Sequence, residues 1–120
     1  MNSCLIVKSI IFRGDTSGQA VLFLTAGGNR VDDQKAAICA GEPLGKADAA
    51  LIRAQTGFAI GGVSPVGHLN PIRAFVDPKL MGFSTIWAAA GTPHHVFELT
   101  PAQLVDLTGG QVAEFTTAPK

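Results

Sequence analysis

The chain has 120 residues, and its nine basic side chains are balanced by nine acidic ones. That balance excludes a binder that grips nucleic acid through many phosphate contacts, although a local basic patch is compatible with it. At 47% apolar residues one domain of this length can bury a core, while apolar runs broken by Lys8 or by glycine are too short to span a bilayer.

The start, Met1 to Cys4, has no charged segment ahead of an apolar one, so no secretory leader is read. Cys4 and Cys39 lack metal or redox spacing. They read as small buried hydrophobes of a reducing compartment, and a cytoplasmic location is expected.

In chain order, Cys4 to Phe12 is an apolar run interrupted by Lys8. Asp15-Thr16-Ser17-Gly18 is a turn, and Ala20 to Thr25 is a second run, so the two should pair as an antiparallel hairpin. After Gly27-Gly28-Asn29, Asp32 or Asp33 can cap a short helix that reaches Cys39 and closes at Gly41. Pro43 and Gly45 mark a loop. Ala47 to Gln55 reads as a second helix, with Leu51 and Ile52 on its buried side and Gly57 beyond its end.

Ile72 to Val76 is a strand ended by Asp77-Pro78, with Asp77 a turn residue. Thr85 to Ala90 and His95 to Leu99 are further strands. Thr100, Pro101 and Gln103 form a helix start, with a cap, a first-turn proline and a capping box. Leu104, Val105 and Leu107 are expected inward, and Gly109-Gly110 stops the helix. Val112 to Thr116 is a last strand. Clustered strands with helices between them predict an α+β fold, and no repeat or linker divides the chain, so residues 1–120 are read as a single domain.

Two features point to chemistry. By the two-residue strand period Lys8 shares a face with Ile6, Ile10 and Phe12, while Leu5, Val7 and Ile11 fill the other. A lysine inside an apolar strand is expected either to serve a site or to carry its ammonium out to the strand edge. The second feature is Gly61-Gly62-Val63-Ser64-Pro65-Val66-Gly67, too glycine-rich for a regular element and too apolar for an ordinary solvent loop. No Gly-Lys-Ser/Thr follows, which excludes a P-loop, and no helix follows, which excludes a dinucleotide fingerprint. Glycines let backbone approach a ligand, and Pro65 stiffens the loop, so its N–H groups can orient a carbonyl or a water. Alternatively the loop is a tight connection between strands.

His68, His94 and His95 do not make a metal site by spacing. Of the adjacent pair one is expected to point inward as a core or pocket residue and the other outward. Ser64 is not in a nucleophile elbow. Asp32, Asp33 and Lys35 read as a solvated helix start.

The motifs taken together resemble the YbaK and prolyl-tRNA-synthetase-associated editing domains. The resemblance rests on Val7 to Phe12, Gly28 to Asp32, Thr56 to Gly67, Trp87 to His94 and Leu104 to Gly110, in the family's order over nearly the whole chain. It implies a mixed, largely antiparallel β-sheet or partial barrel flanked by short helices. It also implies hydrolysis of aminoacyl-tRNA carrying the wrong amino acid. Lys8 then matches the strand lysine that engages the terminal adenosine end. Gly61, Gly62, Ser64 and Pro65 match the loop that positions the carbonyl and an attacking water. Phe58, Ile60, Val63, Gly67, Gly91 and His94 are expected to line the substrate pocket. The implied chemistry relies on the substrate's own ribose hydroxyl and needs no metal or other cofactor. The implied partners are the aminoacyl-tRNA acceptor end and a synthetase such as prolyl-tRNA synthetase, with no membrane and with the protein a monomer or homodimer. Relative to the family the lysine strand begins early, which is read as a short N-terminus. Two activities are compatible with these residues: a free-standing deacylase for a small amino acid, alanine first, or a non-catalytic module that binds the acceptor end or a synthetase. Hydrolysis of another small ester is a third.

Overall fold

The computed structural model describes residues 6–57, 72–89 and 95–117. Strands β1 (Ile6–Gly14) and β2 (Ala20–Ala26) form the expected hairpin, in register from Val7 opposite Ala26 to Arg13 opposite Ala20. Gly18 turns the chain between them at φ 71°, a conformation that glycine adopts without strain.

Helix α1 (Asp33–Ala40) starts where Asp32 accepts the N–H groups of Gln34 and Lys35, and it ends where left-handed Gly41 donates to Ala37 and Ile38. The segment after it corrects an expectation. Residues Leu44–Lys46 are not a loop but a short strand, β3, antiparallel to the far end of β1. Gly45 marks a close approach rather than a break. A β-carbon there would stand 2.9 Å from both the Arg13 guanidinium and the Asp15 carboxylate, so a larger residue would have to displace these two side-chain ends.

Helix α2 (Ala49–Thr56) is capped by Asp48 and closed by Gly57 at φ 83°. Strand β4 (Arg73–Val76) runs parallel to β2. A 3₁₀ helix, Pro78–Gly82, then leads to β5 (Ile86–Ala89), β6 (Val96–Leu99), α3 (Pro101–Thr108) and β7 (Gln111–Val112). The strands form one open mixed sheet in the order β6-β5-β1-β2-β4-β7, with β3 also on β1. Antiparallel pairings join β1 to β2, β1 to β3 and β5 to β6, and they carry most of the register. Parallel ones join β1 to β5, β2 to β4 and β4 to β7.

The alternation of side chains divides the core between the two sheet faces. On one face Val7, Leu22, Leu24, Val76, Ile86 and Ala88 pack with Leu80 and with Leu104 of α3. On the other, Val21, Phe23 and Phe75 pack with Ala36 and Ala40 of α1 and with Phe115. The Phe23 ring lies 5.3 Å from that of Phe75 and 4.9 Å from that of Phe115. Strand β2 is buried along its whole length because both clusters meet on it.

Two further expectations are corrected here. Leu107 does not face inward and is 60% exposed. Pro101, Leu104, Val105 and Thr108 fall within about 100° of helix arc, and Leu107 falls outside it. The final strand is shorter than expected. After Val112 the chain leaves the sheet, seats Phe115 on the α1 face and meets the residues before that helix. Thr116 bridges to Val31, and Asp32 N–H donates to the Phe115 carbonyl.

Candidate functional site

Lys8 stands on the α1 face of the sheet, opposite Thr25 of β2. On its other side β5 runs parallel, with Ile6 beside Trp87 and Val7 beside Ala88. Continuing that register by one residue places Lys8 beside Ala89, whose partner in β6 is Val96. Both flanking side chains, Thr25 and Ala89, are small. The aromatic cluster under α1 lies further along β1, against Ile10 and Phe12.

The ammonium of Lys8 is therefore exposed and enters no ion pair among the described residues. This corrects the picture of a strand apolar and buried on both faces. The burial of β1 at this end belongs to Val7 on the opposite face. Chemically, Lys8 is a point charge that no described group neutralises, suited to a phosphate or a developing oxyanion.

The same end of the sheet is tied by Asp77, which is 2% exposed. It is more than a turn residue. Its carboxylate accepts the N–H of Ala26 at 3.1 Å, the side-chain amide of Asn29 at 2.9 Å and the N–H of Lys79 at 3.0 Å. Its own N–H donates to the Leu24 carbonyl. The turn that follows β2 is thus fixed to the start of the 3₁₀ helix. Asp before Pro carries no sequence signal for such a clamp, because its partners are distant in the chain.

Trp87, which the sequence marks only through the resemblance, and Glu98, to which it assigns no role, lie by register on the same face as Lys8. His95 is exposed immediately before β6. Phe58, Ile60, Gly61, Gly62, Val63, Ser64, Pro65, Gly67, His68, Gly91 and His94 all lie outside the described residues, as does Cys4. Burial pushes the Cys39 thiol up from its ordinary pKa, the reverse of an activated nucleophile. Among the described residues no group of three or more His, Cys, Asp or Glu is placed to hold a metal ion. Among them, too, no helix is long and apolar enough to cross a membrane.

Comparison with known proteins follows the same lines. Residues 3–107 match the family described as "Aminoacyl-tRNA editing domain". The chain is similar to the "Uncharacterized protein YwhH" of Bacillus subtilis (strain 168), with 32% identity over 107 residues, 89% of this chain and 68% of that protein. It is similar to the "Putative Cys-tRNA(Pro)/Cys-tRNA(Cys) deacylase EbsC" of Enterococcus faecalis (strain ATCC 700802 / V583), with 31% identity over 116 residues, 93% of this chain and 68% of that protein. Among solved structures, a "putative trans-editing enzyme for prolyl tRNA synthetase" superposes with a TM-score of 0.92 and 47% identity, over 98% of this chain and 73% of the other.

Proposed function

This chain belongs to the aminoacyl-tRNA editing domain family, and from that premise we propose that it is a trans-acting deacylase. In this reading it hydrolyses the ester of a tRNA mischarged with a small amino acid. The observation that carries the reading is the exposed Lys8, which enters no ion pair among the described residues and stands opposite Thr25. It offers a positive charge that no described group neutralises.

The ester that joins an amino acid to ribose is already activated, so the protein has only to place its parts. Water adds to the ester carbonyl carbon, the bond from that carbon to the ribose oxygen breaks, and the ribose hydroxyl and the free amino acid leave. Lys8 holds the terminal nucleotide or the developing oxyanion, and backbone N–H groups of the Gly61–Pro65 segment orient the carbonyl and the water. The neighbouring ribose hydroxyl of the substrate assists the attack. A formally neutral domain performs this by gripping only the acceptor end and borrowing affinity from a synthetase. Binding alone separates small apolar side chains by little, which is why such editing is needed.

The name of one relative brings cysteine forward, and the resemblance to prolyl-tRNA-synthetase-associated domains brings alanine on tRNA(Pro). A deacylation panel of tRNAs charged with alanine, cysteine, serine and proline, run with wild type and Lys8→Ala, tests the proposal. Turnover on one or two small amino acids, lost by a factor of about 100 or more in the variant, supports it. A flat panel from folded wild-type protein overturns the deacylase and leaves a module that binds acceptor ends without turnover.

A further inference from the structure

Trp87 is half-buried in β5, next to the edge strand β6, and belongs to none of the apolar clusters of the described residues. Its indole N–H takes no hydrogen bond among them. A tryptophan in a sheet ordinarily contributes its large area to the core. This one lies instead on the face that carries Lys8. It is paired with Ile6, two residues before Lys8 on β1, and on its other side with Glu98 of β6.

Strand rise and spacing put the Cα atoms of Lys8 and Trp87 about 8 Å apart. A cation and an aromatic ring at that separation, on one rigid surface, match the phosphate and the base of a single nucleotide. The charges give the pair a direction. Lys8 attracts phosphate, whereas the carboxylate of Glu98 beside the indole repels it, so the base and not the phosphate belongs at the Trp87 end. Aromatic side chains on an exposed sheet face are a recurrent way of holding an unpaired RNA base, because every base has a π-face.

We infer that Trp87 is a substrate-binding residue that stacks on the terminal base of the tRNA while Lys8 engages its phosphate. The inference rests on the deacylase reading for the choice of a tRNA 3′ end as ligand, but its test does not depend on turnover. Trp87 is the sole tryptophan in a chain without tyrosine, so its emission reports on this face directly.

The test titrates wild type and Lys8→Ala with adenosine 5′-monophosphate, with the trinucleotide CCA and with ribose 5-phosphate. Saturable quenching by the first two, none by ribose 5-phosphate, and weaker binding in Lys8→Ala support the inference. Emission unchanged up to millimolar CCA overturns it, as does equal quenching by ribose 5-phosphate. In the deacylation assay Trp87→Ala should raise KM about 5- to 150-fold, the range of one lost base stack, with kcat little changed, and Trp87→Phe should recover most of the loss. Should Trp87→Ala fail to fold, the wild-type titration with CCA and ribose 5-phosphate still decides. Active wild type with KM unmoved in Trp87→Ala and emission silent would sink the stack and keep the deacylase. Quenching by CCA without hydrolysis of any substrate would sink the deacylase and keep the stack.

Discussion

Asn29 donates its side-chain amide to the buried carboxylate of Asp77 at 2.9 Å, although 48 residues of chain separate them. The same carboxylate holds the backbone N–H groups of Ala26 and Lys79. One side chain therefore locks the end of β2, the turn after it and the 3₁₀ helix that follows β4. Replacing Asp77 by Ala would leave the Ala26 N–H buried without a partner. Hydrogen bonds to a charged acceptor are worth more than neutral ones, and an orphaned donor adds its own penalty, so Asp77→Ala should cost about 3 kcal/mol. Urea unfolding of the two proteins measures it. A difference below about 0.5 kcal/mol, the range of an ordinary surface substitution, would show that the clamp contributes nothing.

Lys8 makes the opposite prediction. It is exposed and takes no ion pair among the described residues, so Lys8→Ala should leave stability within about 0.5 kcal/mol of wild type. A loss of deacylation in that variant is then a loss of chemistry or binding and not of folding. Thermal unfolding followed by circular dichroism makes the check. A melting temperature depressed by many degrees would mean that the ammonium holds the fold together.

The start of α3 offers a local test. Thr100 Oγ1 accepts the N–H of Gln103 at 3.2 Å, and Gln103 Oε1 accepts the N–H of Thr100 at 2.9 Å. Thr100→Ala breaks the first of these and should cost about 1 kcal/mol. Gln103→Ala breaks the second and should cost less, because the Thr100 N–H that it frees is exposed to water. Equal stability of Thr100→Ala and wild type in denaturant would refute the assignment of the box.

What was legible in the sequence was local. Asp32, Thr100 and Gln103 act within three residues of themselves, and Gly41, Gly57 and Gly109 end helices through their own backbone angle, so their roles could be read without a fold. Strand β3 could not. Leu44-Gly45-Lys46 has no period to detect, and its pairing is set by Phe12, Arg13 and Gly14 on the strand beside it. Lys8 was legible as an anomaly but not as an exposed group, because its surroundings are set by Thr25 and by Ala89 across a parallel pairing that no short-range pattern encodes. Trp87 failed for the same reason. In the chain it is one apolar residue of a strand, and only the register with Ile6 puts it on the face of Lys8.

A pH dependence follows from Glu42. Its carboxylate accepts the N–H of Ser17 at 2.9 Å and of Thr16 at 3.1 Å, and it pairs with Arg73 at 2.7 Å, joining the β1–β2 turn to β4. The Ser17 N–H is the main cause that holds its pKa below the ordinary carboxylate value, with Arg73 a smaller one. A folded-state pKa below the unfolded one means that the unfolded chain takes up the proton first as pH falls. The stabilisation is complete above the unfolded value, about 4.3, and is lost as pH drops through the lower folded value. Glu42→Gln cannot titrate and lacks the charge. The stability gap between wild type and Glu42→Gln should therefore be constant from neutral pH down to about 5.5 and close progressively below about 4.3. Denaturant unfolding at a series of pH values traces the gap. A gap that stayed constant down to acid unfolding would mean that the charge of Glu42 contributes nothing and that the side chain holds the turn by shape alone.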